Sequence, residues 1–210
     1  YPAGASLDAL AYLADYCDTI EINSSFYAPP RANDAASWAR RVGHNPRFRF
    51  TAKAWQKLSH ERPAEDETAL ITDCDEVRKS MAPLAEAGVL GALLLQFPWR
   101  FRCTPENRDY LERLFRRLRE FPLVVEVRHG GWDRESFYGF LRENGVAFCN
   151  VDQPVIGDSL KPGEYATARV GYFRLHGRNY TNWFREDAGR DARYDYLYTK
   201  EEIRQLSEKI

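Results

Sequence analysis

The chain has 210 residues, 44% hydrophobic and 14% aromatic, which is enough for a sizeable core and argues against disorder. Lys plus Arg number 30 and Asp plus Glu 31, a formal net charge of -1, so a strongly basic nucleic-acid coat is excluded while a local basic patch is not. The longest apolar run, residues 89–95, is too short to span a bilayer, and Cys17, Cys74, Cys103 and Cys149 contain no C-x-x-C pair, so a cytoplasmic protein with reduced thiols and no membrane partner is expected.

Ser6 is placed to cap a first helix with the apolar stripe Leu7, Leu10, Ala11 and Ala14. Strand-like runs follow at residues 19–22 and 47–53. A helical stretch at 67–87 must kink or restart at Pro83. A third strand is expected at 92–97. Thr104-Pro105 then provides a cap and a first helical residue for the stripe Leu111, Leu114, Phe115 and Leu118. A fourth strand covers 123–128. Asp133 is placed to cap a helix carrying Phe137, Phe140 and Leu141, and Gly145 to end it. The fifth and sixth strands cover 146–151 and 171–176, and the crossover at 152–170, with Pro154, Gly157, Pro162 and Gly163, is expected to be irregular. Residues 177–198 form a long aromatic and arginine-rich loop with almost no helical pattern. Thr199 and Glu202 then make a capping box for a last helix with Ile203, Leu206 and Ile210 inward.

Strand and helix alternating this often imply a parallel α/β sheet. A doubly wound sheet is disfavoured, because no Gly-rich phosphate loop follows the first strand. The favoured expectation is a TIM-type (β/α)8 barrel missing two strands. Tyr1-Pro2 at the start and Ile210 inside a helical pattern read as cut ends, so residues 1–210 are expected to be one barrel domain, a fragment at both ends.

Strand residues alternate between faces. By that parity Glu21 with Asn23, Thr51 with Lys53, Gln96, Glu126 with Arg128, Asn150 with Asp152, and Arg174 with His176 fall on one polar face, mostly near C-terminal strand ends. That is where barrel active sites sit. His129 shares parity with Val127 and points the other way. For any single residue, the competing reading is a surface strand end or an internal ion pair.

The run Glu21-Ile22-Asn23-Ser24-Ser25-Phe26-Tyr27 followed by Pro29 resembles a motif of the DUF72 (YecE-like) family. Phe48-x-Phe50-x-x-Lys53, Leu95-Gln96-Phe97-Pro98, Glu126-Val127-Arg128-His129 with Trp132, Arg174-Leu175-His176-Gly177-Arg178 and Tyr194-Asp195-Tyr196-x-Tyr198 match in the same order. The resemblance covers essentially the whole chain. It implies a TIM-like barrel with one strand before and one after the present residues, and it leaves the activity open.

The pooled polar set suits acid–base chemistry on a small anionic ligand bearing phosphate or carboxylate. Glu21, Lys53, Glu126 and His176 are the candidate catalytic groups. Asn23, Tyr27, Gln96, Arg128, Trp132, Asp152, Arg178 and Tyr194 are the candidate ligand contacts, with Tyr27, Trp132, Arg178 and Tyr194 at the rim. A Schiff-base role for Lys53 is a minor option, and an ion pair with Glu21 competes with catalysis. No cofactor is expected. A divalent metal is the weaker reading, since Lys53, Arg128 and Arg174 share the face and repel a cation. The alternative function is nucleic-acid binding or processing. Arg178, Arg185, Arg190 and Arg193 lie among aromatics, but Glu186, Asp187, Asp191 and Asp195 offset them.

Overall fold

The computed structural model describes residues 7–62, 66–183, 185 and 189–208. The chain forms two compact units, Tyr1–Gln96 with Leu111–Leu123, and Phe97–Tyr110 with Val124–Ile210.

The first unit begins with α1 (Ala9–Ala14). Its cap is Asp8, whose carboxylate accepts from the amides of Leu10 and Ala11 at 3.1 Å each; Ser6, expected in that role, lies outside the described residues. Then come β1 (Thr19–Ile22), α2 (Ala32–Val42), β2 (Arg49–Lys53), α3 (Glu67–Glu86) and β3 (Leu90–Gln96). Strands β1, β2 and β3 are neighbours in chain order and pair in parallel. In β2 the alternation is plain: Phe50 and Ala52 are buried, whereas Arg49, Thr51 and Lys53 are more open. From Ala92 to Leu95, β3 is buried at every position, as expected of a strand covered on both faces. The α3 residues Leu70, Cys74, Val77, Met81 and Leu84, three and four apart, form its buried stripe. Of the two expectations at Pro83, a kink or a restart, the restart does not occur: α3 runs through it to Glu86.

Helix α4 (Pro105–Arg117) contributes to both units, and the Thr104 hydroxyl caps it by accepting from the Asn107 amide at 3.3 Å. The second unit continues with β4 (Leu123–Glu126), α5 (Glu135–Glu143), β5 (Ala147–Asp152), β6 (Tyr172–Leu175), α6 (Arg190–Tyr194) and α7 (Lys200–Ser207). Strands β4, β5 and β6 are also parallel neighbours in chain order. Gly145, at φ 65°, ends α5 as expected, and the Val146 amide reaches back to the Leu141 carbonyl at 2.9 Å.

Asp133 does not cap α5. Its Oδ1 accepts instead from the hydroxyls of Tyr138 at 2.8 Å and Tyr165 at 3.1 Å, and Arg134 precedes the helix without a side-chain cap. The stretch between β5 and β6 is irregular, holding only an isolated bridge of Ser159 to His129. Within it Thr167 serves as a strand substitute: its hydroxyl accepts from the Phe148 amide and donates to the Val146 carbonyl. The long loop contains one short helix, the five-residue α6. Both halves of the capping box at Thr199 and Glu202 form, and Leu206 is buried. Ile203, expected inward, is exposed, and Ile210 lies outside the described residues.

Candidate functional site

Four strands end on polar residues that the sequence singles out: β2 on Lys53, β3 on Gln96, β4 on Glu126 and β5 on Asp152. Each unit holds its own arrangement of them.

In the first unit Glu21 stands in β1 opposite Thr51 of β2. Asn23 is exposed and precedes the short 3-10 turn Ser24–Phe26, with exposed Tyr27 just after it. Ser25 explains the turn: its buried hydroxyl lies 2.7 Å from the carbonyls of both Ile22 and Lys53, sharing one proton between the ends of β1 and β2. Lys53 Nζ is 5.9 Å from the Phe26 ring centroid, within cation–π range. The Trp55 indole N–H donates to the Tyr27 carbonyl at 3.1 Å, and Lys57 Nζ sits 4.4 Å over the indole. Lys53, Tyr27, Phe26 and Trp55 thus share the C-terminal side of β1 and β2. Gln96 is half-buried at the end of β3.

The second unit holds the densest charge cluster. Glu126 is 0% exposed. Its Oε1 accepts from Arg128 Nε at 2.9 Å and Nη2 at 2.8 Å, and its Oε2 accepts from Arg174 Nη1 at 2.8 Å. His176 Nε2 lies 4.0 Å from Glu126 Oε1 and 3.3 Å from Arg128 Nη2. A guanidinium only donates, so while the ring is neutral Nε2 holds the lone pair and the proton sits on Nδ1; once protonated, the ring adds its charge beside Glu126. Burial pushes the Glu126 carboxyl up, but the charges of Arg128, Arg174 and His176 outweigh it and hold the group at about 2. The Arg128, Arg174 and His176 side chains keep 20%, 14% and 9% exposure, so the cluster reaches solvent on its cationic side. The rings of Tyr194 and Trp183, 5.7 and 6.4 Å from His176, come from the long loop, with Tyr194 exposed.

A second network engages Asp152 and Arg178. The buried Asp152 carboxylate accepts from Arg178 Nε and Nη2 at 2.9–3.1 Å, and from the Tyr198 hydroxyl at 2.6 Å. Arg178 Nη1 also reaches Glu202 Oε1 at 3.1 Å, which takes the Tyr196 hydroxyl at 2.6 Å. Tyr196 and the Thr199 amide hold Glu202 at about 2, and burial with the Asp152 charge pushes the Tyr198 hydroxyl up. This network ties the loop to β5 and α7. Gly177 makes the corner: its φ is 81°, and a Cβ there would lie 2.6 Å from the Tyr196 Cβ.

Trp132 is a correction to the expected rim. It is 0% exposed, its indole N–H donates to the Phe101 carbonyl at 2.7 Å, and it packs between Phe101 and Phe137, with ring centroids at 5.3 and 4.5 Å. The 3-10 turn Gly130–Trp132 rolls the indole inward. Asn150, counted with the polar face, bonds the backbone of Tyr165 through both amide atoms, at 2.9 and 3.0 Å. Arg174 belongs with the site residues; its shared parity with His176 is the sequence signal. Tyr198 and Glu202 had no such signal, since they meet Asp152 and Arg178 only through the fold. Among the described residues, no three His, Cys, Asp or Glu side chains gather as a metal cluster, and no helix is long and apolar enough to cross a membrane.

Parallel strands alternating with helices, with polar groups at the C-terminal strand ends, define a TIM-like α/β protein. The chain belongs to the DUF72 family, described as "Protein of unknown function DUF72", whose model matches residues 1–210. It is similar to the UPF0759 protein YunF of Bacillus subtilis (strain 168), 28% identical over 215 residues, covering 96% of this chain and 74% of that one. Crystal structures of DUF72 proteins are also similar. One from Enterococcus faecalis V583 has a TM-score of 0.87 at 30% identity, over 97% of this chain and 76% of that one. One from Thermotoga maritima MSB8 has a TM-score of 0.82 at 32% identity, over 97% and 78%.

Proposed function

We propose that the second unit binds a small carboxylate- or phosphate-bearing ligand at Arg128 and Arg174, and that His176 exchanges a proton with it. The observation that carries this reading is the gathering of two guanidiniums and an imidazole on one fully buried carboxylate, with the cationic side open to solvent. Arginine forks match carboxylate and phosphate oxygens. A carboxyl held at about 2 stays ionised at neutral pH, so Glu126 acts as a positioning residue that aims both arginines. Proton exchange falls to His176, whose imidazole lies 3.3 Å from Arg128 and titrates in the neutral range when unperturbed. Trp183 and Tyr194 cover the imidazole from the loop, which the Asp152–Arg178–Tyr198 network anchors.

The nucleic-acid alternative is the weaker one. Arg178, one of the four loop arginines it needs, is committed to Asp152 and Glu202, and backbone binding depends on arginines available to phosphates. The test is a thermal-shift screen of phosphorylated and carboxylated metabolites, with and without divalent metal. Hits that disappear in Arg174→Met and His176→Asn, while both variants still melt cooperatively, support the reading. A screen without hits, or hits indifferent to both substitutions, overturns it.

A further inference from the structure

A second basic feature lies in the first unit, outside the site above. An open groove of about 950 Å³ runs between α3 and the C-terminal part of α4, with Cys74 at its floor. The run Arg113-Leu-Phe-Arg116-Arg117-Leu-Arg119 builds one wall. Leu114 and Phe115 are buried in the core, so the helical period turns Arg113, Arg116 and Arg117 away from it, and Arg119 follows in the turn beyond the helix end. Arg78 of α3 completes the set and acts as a brace: it bonds Asp75, Glu120 and the carbonyl of Arg117. On the α3 side Glu67 alone serves two guanidiniums, Arg113 at 2.8 Å and Arg117. Arg119 has no partner among the described residues. Five arginines and three carboxylates line the groove, and Glu112, just outside the lining, pairs with Arg116 at 2.9 Å, which leaves a formal surplus of one positive charge.

Arginines in the last turn of a helix also stabilise its dipole, which accounts for Arg116 and Arg117 but not for a groove around them or for Arg78 and Arg119. The ion pairs at Arg78, Arg116 and Arg117 use one or two of the five N–H donors on each guanidinium, and Arg119 forms none among the described residues, so donors remain for a further acceptor. Since the whole chain carries -1, this is a local concentration of charge and not a general basicity. We propose that the groove is a second anion site that takes the phosphate group of a small ligand, its oxygens matching the guanidinium forks.

The test is calorimetric titration of the full chain with inorganic phosphate and with pyrophosphate, in the parent, in Arg119→Ala, in the double variant Arg117→Ala/Arg119→Ala, and in Arg174→Met. Saturable binding that weakens at least tenfold in the double variant, weakens partially in Arg119→Ala and survives in Arg174→Met is expected. Arg119→Ala keeps the test open if the double variant fails to fold, because it removes no ion pair among the described residues. Absence of saturable binding, or affinity unchanged by the Arg119 substitution, overturns the proposal. Loss only in Arg174→Met assigns the phosphate to the second unit instead, overturning this site while leaving the Proposed function standing.

Discussion

Replacing Glu126 with glutamine keeps the shape of the side chain and removes its charge. In the parent, three donor contacts at 2.8–2.9 Å from two arginines converge on this carboxylate, and none of its surface reaches water. Glu126→Gln leaves both guanidiniums facing a neutral amide, whose NH₂ is itself a donor. A carboxyl lowered from 4.5 to about 2 corresponds to about 3 kcal/mol of folding stability at neutral pH. Breaking a buried pair by removing one partner typically costs about 3–5 kcal/mol, which agrees. For a chain of this length, 3 kcal/mol lowers Tm by roughly 6–12 °C.

The sign with pH follows from the depressed value. The Glu126 contribution is full above about 4.5 and is lost as the pH falls from 4.5 toward 2. Urea melts of parent and variant at pH 7 and at pH 3 are the assay. The gap between them should be about 3 kcal/mol at pH 7 and clearly smaller at pH 3. A gap below about 1 kcal/mol at pH 7, in the range of an exposed ion pair, or one that does not change with pH, refutes the reasoning.

Three further substitutions probe the anchoring and the core. Gly177→Ala places a Cβ 2.6 Å from that of Tyr196 at φ 81°, and thermal melts should show a loss of about 1–3 kcal/mol, where a neutral result contradicts the corner geometry. Tyr198→Phe removes a donor to buried Asp152 and an acceptor for the Gly177 amide, so denaturant melts should fall by about 1–3 kcal/mol. Trp132→Ala should cost about 3–5 kcal/mol as a core truncation, and a variant that melts like the parent would return the indole to the rim.

The strands were legible because their signal is local. Short apolar or β-branched runs locate all six within two residues at either end, and parity places Glu126 with Arg128 and Arg174 with His176. Gly145 and the Thr199 capping box were legible for the same reason. What stayed hidden depends on residues far apart in the chain. Asp133 meets Tyr165 across 32 positions and so is drawn from its capping role, while Asp8, nearer the helix start, caps α1. Trp132 looked like a wall because it follows a strand closely, but a single 3-10 turn reversed its direction. The arginine groove was invisible because Arg78 and Arg117 are 39 positions apart and meet only when α3 and α4 pack.

The anion site of the second unit is tested most directly at His176 itself. The chain contains four histidines, so the ring resonances of protein labelled with ¹⁵N at histidine are few enough to assign through His176→Asn. Titration with inorganic phosphate and with acetate, followed at these resonances, reads the site without knowledge of the natural ligand. The account predicts a saturable shift of the His176 resonance for at least one of the two anions, abolished in Arg174→Met. A His176 resonance that stays fixed to the end of both titrations, in a protein that remains folded, would contradict it.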